Sequence, residues 1–395
     1  MASTVAAPSR EEARARYEKL ALPTTSDEHW RFTNLKGFDP DAYSIDAAGS
    51  GARPESMLDI DTAGSAFVNE SGIEIVGAPA GVTFEPLGED ELVGQLVAAD
   101  DKFTSHNAAM WKHGLLVRIP KGVTVEKPLY VRIVSSVDGG ALFWRLVVVA
   151  EEGSKVTFIE ELVSDSPELA AYTNVVTELY VEPTAKLEYV SIQNLSTETW
   201  HFASHRAQVG RDAELDWVAG GFGSKRGKTW IRNILDGAGA TSRVTGAYFA
   251  DGDQHLDYDT YQEHAAPNTE SDFAFKGALR DASTAVWRGM IRVEPDAQKT
   301  NAYQENRNLI LSNEAHADSI PGLEILANDV RCTHGATSSP VDRDELFYCM
   351  ARGMSRGDAE RLIVRGFFQD ILDRIALDPV RDAVAQALEA RIPRA

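Results

Sequence analysis

Between about residue 110 and residue 340 the chain alternates apolar and polar positions in short runs, and a small-residue turn introduces each run. Lys121-Gly122 precedes Val123-Thr124-Val125, and Glu152-Gly153 precedes Lys155-Val156-Thr157-Phe158. Pro183-Thr184 precedes Lys186-Leu187-Glu188-Tyr189, and Arg211-Asp212 precedes Glu214-Leu215-Asp216-Trp217. Gly237–Gly239 then leads into Thr241–Val244. Aligning Val123, Ser154, Ala185, Ala213 and Ala240 gives steps of 31, 31, 28 and 27 residues. Period-two alternation marks strands with one face buried. A nearly constant step without intervening helices predicts a β-solenoid, in which each coil covers the apolar face of the last. An antiparallel sandwich would show turns every 8–12 residues, so the solenoid is the better reading of this spacing.

The flanks read differently. Residues 10–22 form a short helix pattern ended by Pro23, and residues 24–65 are rich in Asp, Gly, Ser and Pro and read as irregular. Short strands are expected at Ile73–Val76 and Val82–Phe84, and a helical spacing at Glu89–Ala99 places Leu92, Val93 and Leu96 on one face. After Pro340 the strand pattern stops. Asp342 with Glu345, and Ser355 with Asp358, have the spacing of helix-starting caps, and Asp378-Pro379 reads as N-cap and first-turn proline of another helix. These signals divide the chain into an N-terminal mixed α/β region (1–109), a β-solenoid core (110–340) and a C-terminal helical region (341–395). Ala359, Ile363, Phe367, Ile371 and Ile375 recur at i, i+4, with Val364, Phe368 and Leu372 in the adjacent row. That arc is wider than one small flank needs. Ile363, Phe367, Ile371 and Leu372 are therefore candidates for binding a partner, against the alternative of a locally packed helical hairpin.

Charge narrows the partners. With 60 acidic against 39 basic residues the formal net charge is −21, which disfavours nucleic acid and anionic membrane surfaces. The sequence has no apolar run near the roughly 18 residues that span a bilayer. Two cysteines cannot build a disulfide framework, so a reducing cytoplasm is the expected compartment.

Candidate chemistry concentrates at Cys332-Thr333-His334-Gly335-Ala336-Thr337. In extended chain, Cys332 and His334 share a face, where a thiolate and an imidazole suit iron, zinc or an iron–sulfur cluster. Other motifs fail on inspection. Gly227-Lys228-Thr229 imitates the end of a phosphate loop, but the first glycine is replaced by Phe222 and the following Trp230-Ile231-Arg232 reads as strand. His201 and His205 have the spacing of helical zinc ligands yet lie in strand-like sequence, roughly 13 Å apart; they read as solvated or hydrogen-bonded strand histidines. Asp251, Asp253, Asp257 and Asp259 lack the glycine and glutamate of a calcium loop. Cys349 reads as a buried structural thiol.

The block Asn306-Arg307-Asn308-Leu309-Ile310-Leu311, Leu323-Glu324-Ile325, Asp329-Val330, then Cys332 to Thr337, resembles the SufB/SufD family of iron–sulfur cluster assembly scaffolds. Asp344-Glu345-Leu346-Phe347-Tyr348, Arg352-Gly353-Met354 and Asp358-Ala359 extend it. So do Leu22-Pro23-Thr24, the run Asp27 to Leu35, and Gln254 to Asp257 with Glu263-His264. Lacking a Cys-rich segment, and with Gly335 after His334, the chain resembles the SufD branch. The resemblance implies a right-handed parallel β-helix and a non-catalytic scaffold subunit, with no cofactor tightly bound in isolation. It also implies pairing with a SufB-like subunit through the β-helix, a SufC-like ATPase on the C-terminal helices, and a possible homodimer of the isolated chain. His334, with Cys332 beside it, would meet iron or a transient cluster at the contact between scaffolds. A rival reading is a β-helix carbohydrate-active enzyme, with the Asp251–Asp259 acids as its candidate carboxylates.

Overall fold

The fold was analysed in a computed structural model, described here for residues 8–51, 53–88 and 90–392. Strand pairing gives two sheets of ten and nine strands. Through the core, consecutive strands alternate between the sheets and each pairs in parallel with the strand two places on. The result is a parallel β-solenoid of about eight turns. Register follows the sequence repeat: Lys155 lies beside Lys186, Lys186 beside Glu214, Glu214 beside Thr241, and so on through Glu270 and Asn301 to Arg331.

One corner of every coil shows why the steps were readable. Gly122, Gly153, Thr184, Asp212, Gly239, Asn268 and Lys299 occupy equivalent positions and all have positive φ, between 53° and 77°. Each donates its backbone N–H to the next coil, from Gly122 to Glu152 O at 2.9 Å through to Lys299 to Asp329 O. The residue that follows most of them, Ser154, Ala185, Ala213 or Ala240, is fully buried; only a small side chain fits inside the bend. Glycine, asparagine and aspartate tolerate the left-handed region best, so the turn chemistry is written into the sequence.

Inward-facing residues fill the bore as one cluster, including Leu115, Trp144, Phe158, Tyr189, Trp217, Tyr248, Phe275 and Trp287. The outer faces are covered by opposite flanks. Trp30, Phe38 and Phe103 pack on Phe143, Tyr172, Trp200 and Phe202 of one sheet. On the other sheet, Val364, Phe368, Ile371, Leu372, Val380 and Val384 of the C-terminal helices pack on Ile159, Val190, Ile192, Phe249 and Ala274. Those helices are Arg343–Ala351, Arg356–Leu372 and Asp378–Ala390. The first two begin at Asp342 and Ser355, whose side chains accept the amides of Glu345 and Asp358. In the third, Leu377 rather than Asp378 is the N-cap. Among the described residues, no helix is long and apolar enough to cross a membrane.

Two sequence expectations are corrected. Residues 90–99 form turns rather than a helix, because the Glu178 carboxylate takes the amides of Gly94, Leu96 and Val97, which a helix would return to its own carbonyls. Glu89 lies outside the described residues. A helix that the pattern did not reveal spans Lys102–Met110, capped by Asp101.

Candidate functional site

The two ends of the solenoid differ. At the start, the edge of each sheet is a short antiparallel strand: Gly72–Val76 against Gly64–Asn69, and Thr83–Pro86 against His113–Ile119. At the finish, His316–Ile325 and Arg331–Pro340 are the last members of their sheets and each has one unpaired edge. In Arg331–Pro340 only Cys332 and Gly335 escape the exposed class. This open coil carries the candidate ligands.

The sequence placed His334 in extended chain near the end of the solenoid core. The structure puts it inside the last strand, with Gln304 as its neighbour on the preceding coil. Cys332 packs against the inward cluster of Ile291, Val293 and Ala302, and Ser338 bonds the inward Asn308 amide at 3.3 Å. Alternation then places Cys332 and His334 on the same, bore-facing side at the open mouth. His334 is exposed and makes no hydrogen bond among the described residues. Cys332 is half-buried, and that burial raises its thiol pKa, so metal binding there must displace a proton.

Beneath the pair lies a floor of amides and hydroxyls that sequence reasoning did not single out. Gln304 donates to the carbonyl of Gly322 at 2.9 Å, tying the two sheets together. Asn306 and Asn308 bond each other, Ser319 and the Tyr248 hydroxyl. Asn306 and Asn308 are 0% and 2% exposed; buried amides without partners would be costly, and here each is held. The mouth is therefore rigid behind His334 and open in front of it. Among the described residues no group of three or more His, Cys, Asp or Glu could hold a metal ion. Two donors at an open end can ligate iron only if further ligands arrive from outside.

The other candidates resolve as structure. Lys228 pairs with Asp257, both nearly fully buried. Its ammonium lies 5.2 Å and 5.1 Å from the rings of Trp30 and Trp230. Asp259 pairs with His29 at 2.7 Å, and Asp251 with Arg280 and Arg391. The acidic run thus offers no free carboxylate pair for glycoside chemistry. His201 and His205, expected to be solvated or hydrogen-bonded, are both buried in the bore. His201 reaches the Thr173 hydroxyl at 2.8 Å, whereas Nδ1 of His205 has no partner.

Of the proposed partner face, Ile371 and Leu372 are buried at 1% and 5% exposure against the chain's own sheet, and Ile363 and Phe367 are half-buried. Exposed apolar side chains of these helices lie elsewhere: Phe347, Tyr348 and Met350 on the first C-terminal helix and Leu362 on the second, at 72%, 59%, 43% and 52%. Only Leu346 of that first helix is buried.

Comparison with known proteins follows the same lines. Residues 132–367 match the family described as SUF system FeS cluster assembly, SufBD core domain; the match runs from the first coil into the second C-terminal helix. An iron–sulfur cluster assembly SufBD family protein of Mycobacterium leprae is 30% identical over 383 residues, covering 94% of this chain and 91% of that protein. One from Mycobacterium tuberculosis is 30% identical with 94% and 90% covered. One from Staphylococcus saprophyticus is 31% identical over 283 residues, covering 71% of this chain and 60% of its own length.

Proposed function

This chain belongs to the SufBD family of iron–sulfur cluster assembly proteins, and from that premise we propose that it is a non-catalytic scaffold subunit of the SufD type. Its open terminal coil pairs with a SufB-like subunit, and the cluster in assembly is the cargo of that contact. The observation that carries this reading is the placement of His334 and Cys332 at the mouth of an unpaired coil. Unpaired strand edges are templates for strand addition. A neutral imidazole can ligate iron or take up a proton near neutral pH. The missing ligands would come from the partner scaffold.

The ATPase docks on the exposed apolar side chains Phe347, Tyr348, Met350 and Leu362 rather than on Ile371 and Leu372, which the solenoid already covers. Nucleotide-driven movement of the ATPase would then act on the helices that follow directly from the His334 strand, and so on the mouth itself. The protein works in the cytoplasm, and the isolated chain pairs with itself through the same open coil. The test is purification of this chain from cells that also make a SufB-like scaffold and a SufC-like ATPase, followed by iron and acid-labile sulfide analysis. A complex without this chain, or one that carries clusters equally well in its absence, refutes the proposal.

A further inference from the structure

Glu160 lies in the strand Lys155–Ser164, faces the bore and is 3% exposed. The Tyr189 hydroxyl donates to its Oε2; the Trp144 indole N–H and the Thr177 hydroxyl also face the carboxylate, but Oε1 has no well-aligned hydrogen bond. Across the bore, Nδ1 of His205 is equally without a partner, and His205 is 6% exposed. The Thr177 hydroxyl, in register with His205 on the neighbouring coil, also lies against Glu160 and Tyr189 without a well-aligned bond. Glu160 and His205 both line an internal cavity of about 40 Å³, together with Ser191, His201, Thr229 and Tyr258. Buried polar atoms without partners are rare in folded proteins, and polar cavities of sufficient size are normally wet.

We propose that this cavity is an internal hydration site, in which ordered water bridges Oε1 of Glu160 to Nδ1 of His205. A water molecule needs roughly 10–15 Å³ of such space, so the cavity holds about three or four. Larger ligands are excluded by size. The titratable groups facing Glu160 are Tyr189 on its own sheet, and His201, His205 and Tyr258 around the cavity. Burial keeps both imidazoles neutral, with His201 pushed down to about 4 and His205 to about 3. The same burial raises Glu160 to about 7. With no charged neighbour there, Glu160 holds a proton up to near-neutral pH and donates it to the bridging water, which donates in turn to the imidazole. The site lies several coils from His334, so it stands or falls independently of the scaffold reading.

A crystal structure at a resolution that reveals other buried waters tests this directly. Density between Glu160 and His205 is the expected result; an empty cavity, or a side-chain shift joining the two residues directly, overturns it. Infrared difference spectra below pH 6 supply a second readout. One protonated-carboxyl carbonyl band, shifted in D₂O and lost in Glu160→Gln, is expected; its absence in the wild-type protein rejects the donor role. If Glu160→Gln does not fold, His205→Leu serves instead, with the bridging density lost and the carbonyl band moved rather than abolished. Unchanged density and an unmoved band in that variant likewise overturn the bridge.

Discussion

Lys228 and Asp257 face each other across adjacent coils as an ion pair with 1% and 3% side-chain exposure, and the Thr33 hydroxyl closes onto the same carboxylate. Residues 28–33 thereby latch the N-terminal segment to the solenoid, with Trp30 over the ammonium and His29 on Asp259. A buried pair costs desolvation, and its net value is small, but removing one partner strands a charge.

Lys228→Met is therefore expected to destabilise the fold by about 3–5 kcal/mol, read as a lower midpoint in urea. Asp257→Leu added to it should recover much of the loss, because both charges are then gone. Neither change touches ATP hydrolysis, which the isolated wild-type chain should not show above a blank. Turnover by the pure chain that disappears with Lys228 would contradict the assignment of this lysine to the latch.

Phe347→Asp and Leu372→Asp should separate docking from folding. Phe347 is exposed, so its replacement should alter stability by no more than about 0.5 kcal/mol while weakening ATPase capture at least tenfold. Leu372 is packed on the sheet, and a carboxylate there should cost several kcal/mol. Full-strength pull-down of the ATPase by a folded Phe347→Asp chain would remove the first C-terminal helix from the interface.

His334→Ala should leave the midpoint of unfolding within about 0.5 kcal/mol, since the side chain is exposed and makes no hydrogen bond among the described residues. Scaffold pairing should persist, yet iron and acid-labile sulfide in the purified complex should fall to near background. Cys332→Ser should have a smaller effect, because its thiol is half-buried in an apolar cluster. Wild-type cluster content in His334→Ala would leave the open coil as a pairing surface only.

Stability should fall steeply on mild acidification. Burial depresses His106, His201, His255 and His264 to about 4 and His205 to about 3. Below the unfolded value near 6.5, the unfolded chain binds protons that the folded chain refuses, so stability drops as pH falls from about 6.5 towards 4. Each such histidine contributes up to about 2 kcal/mol of loss by pH 5. Glu160 acts in the opposite sense: its folded pKa is raised to about 7, so its term weakens the fold as pH rises from about 4.5 to 7. Asp101, Asp216 and Glu263, also raised by burial, act with Glu160; the five strongly depressed histidines outweigh them and predict a melting temperature lower at pH 5 than at pH 7.5. A higher melting temperature at pH 5 would mean that the histidines are not held neutral.

What was legible in the sequence was what repeats. Every coil presents the same corner, so the turn before Ala185 and the turn before Ala213 report the same geometry, and their spacing is the register itself. Period-two parity likewise put Cys332 and His334 on one face. Less was legible where the deciding partner is remote in sequence. The segment 90–99 has helical periodicity, but the carboxylate that claims its amides is Glu178, 81 to 84 residues away. The arc through Ile371 and Leu372 announces that something covers it, and amphipathicity cannot distinguish the chain's own sheet from another protein. The spacing of His205 from His201 pointed only to a metal site, and Glu160 carried no local signal, because what sets the two apart is the lack of a well-aligned partner inside the bore.

The blunted beginning and open finish of the solenoid would also limit the proposed pairing. Stacked coils with two free ends could extend without limit, as fibres do. Here the starting edges are short and interrupted by Glu74, Glu85 and Pro86, which blunts them against strand addition. One competent end would permit one end-on neighbour. If two such chains met mouth to mouth as proposed, neither would retain a competent end for a third, and association would stop at a pair.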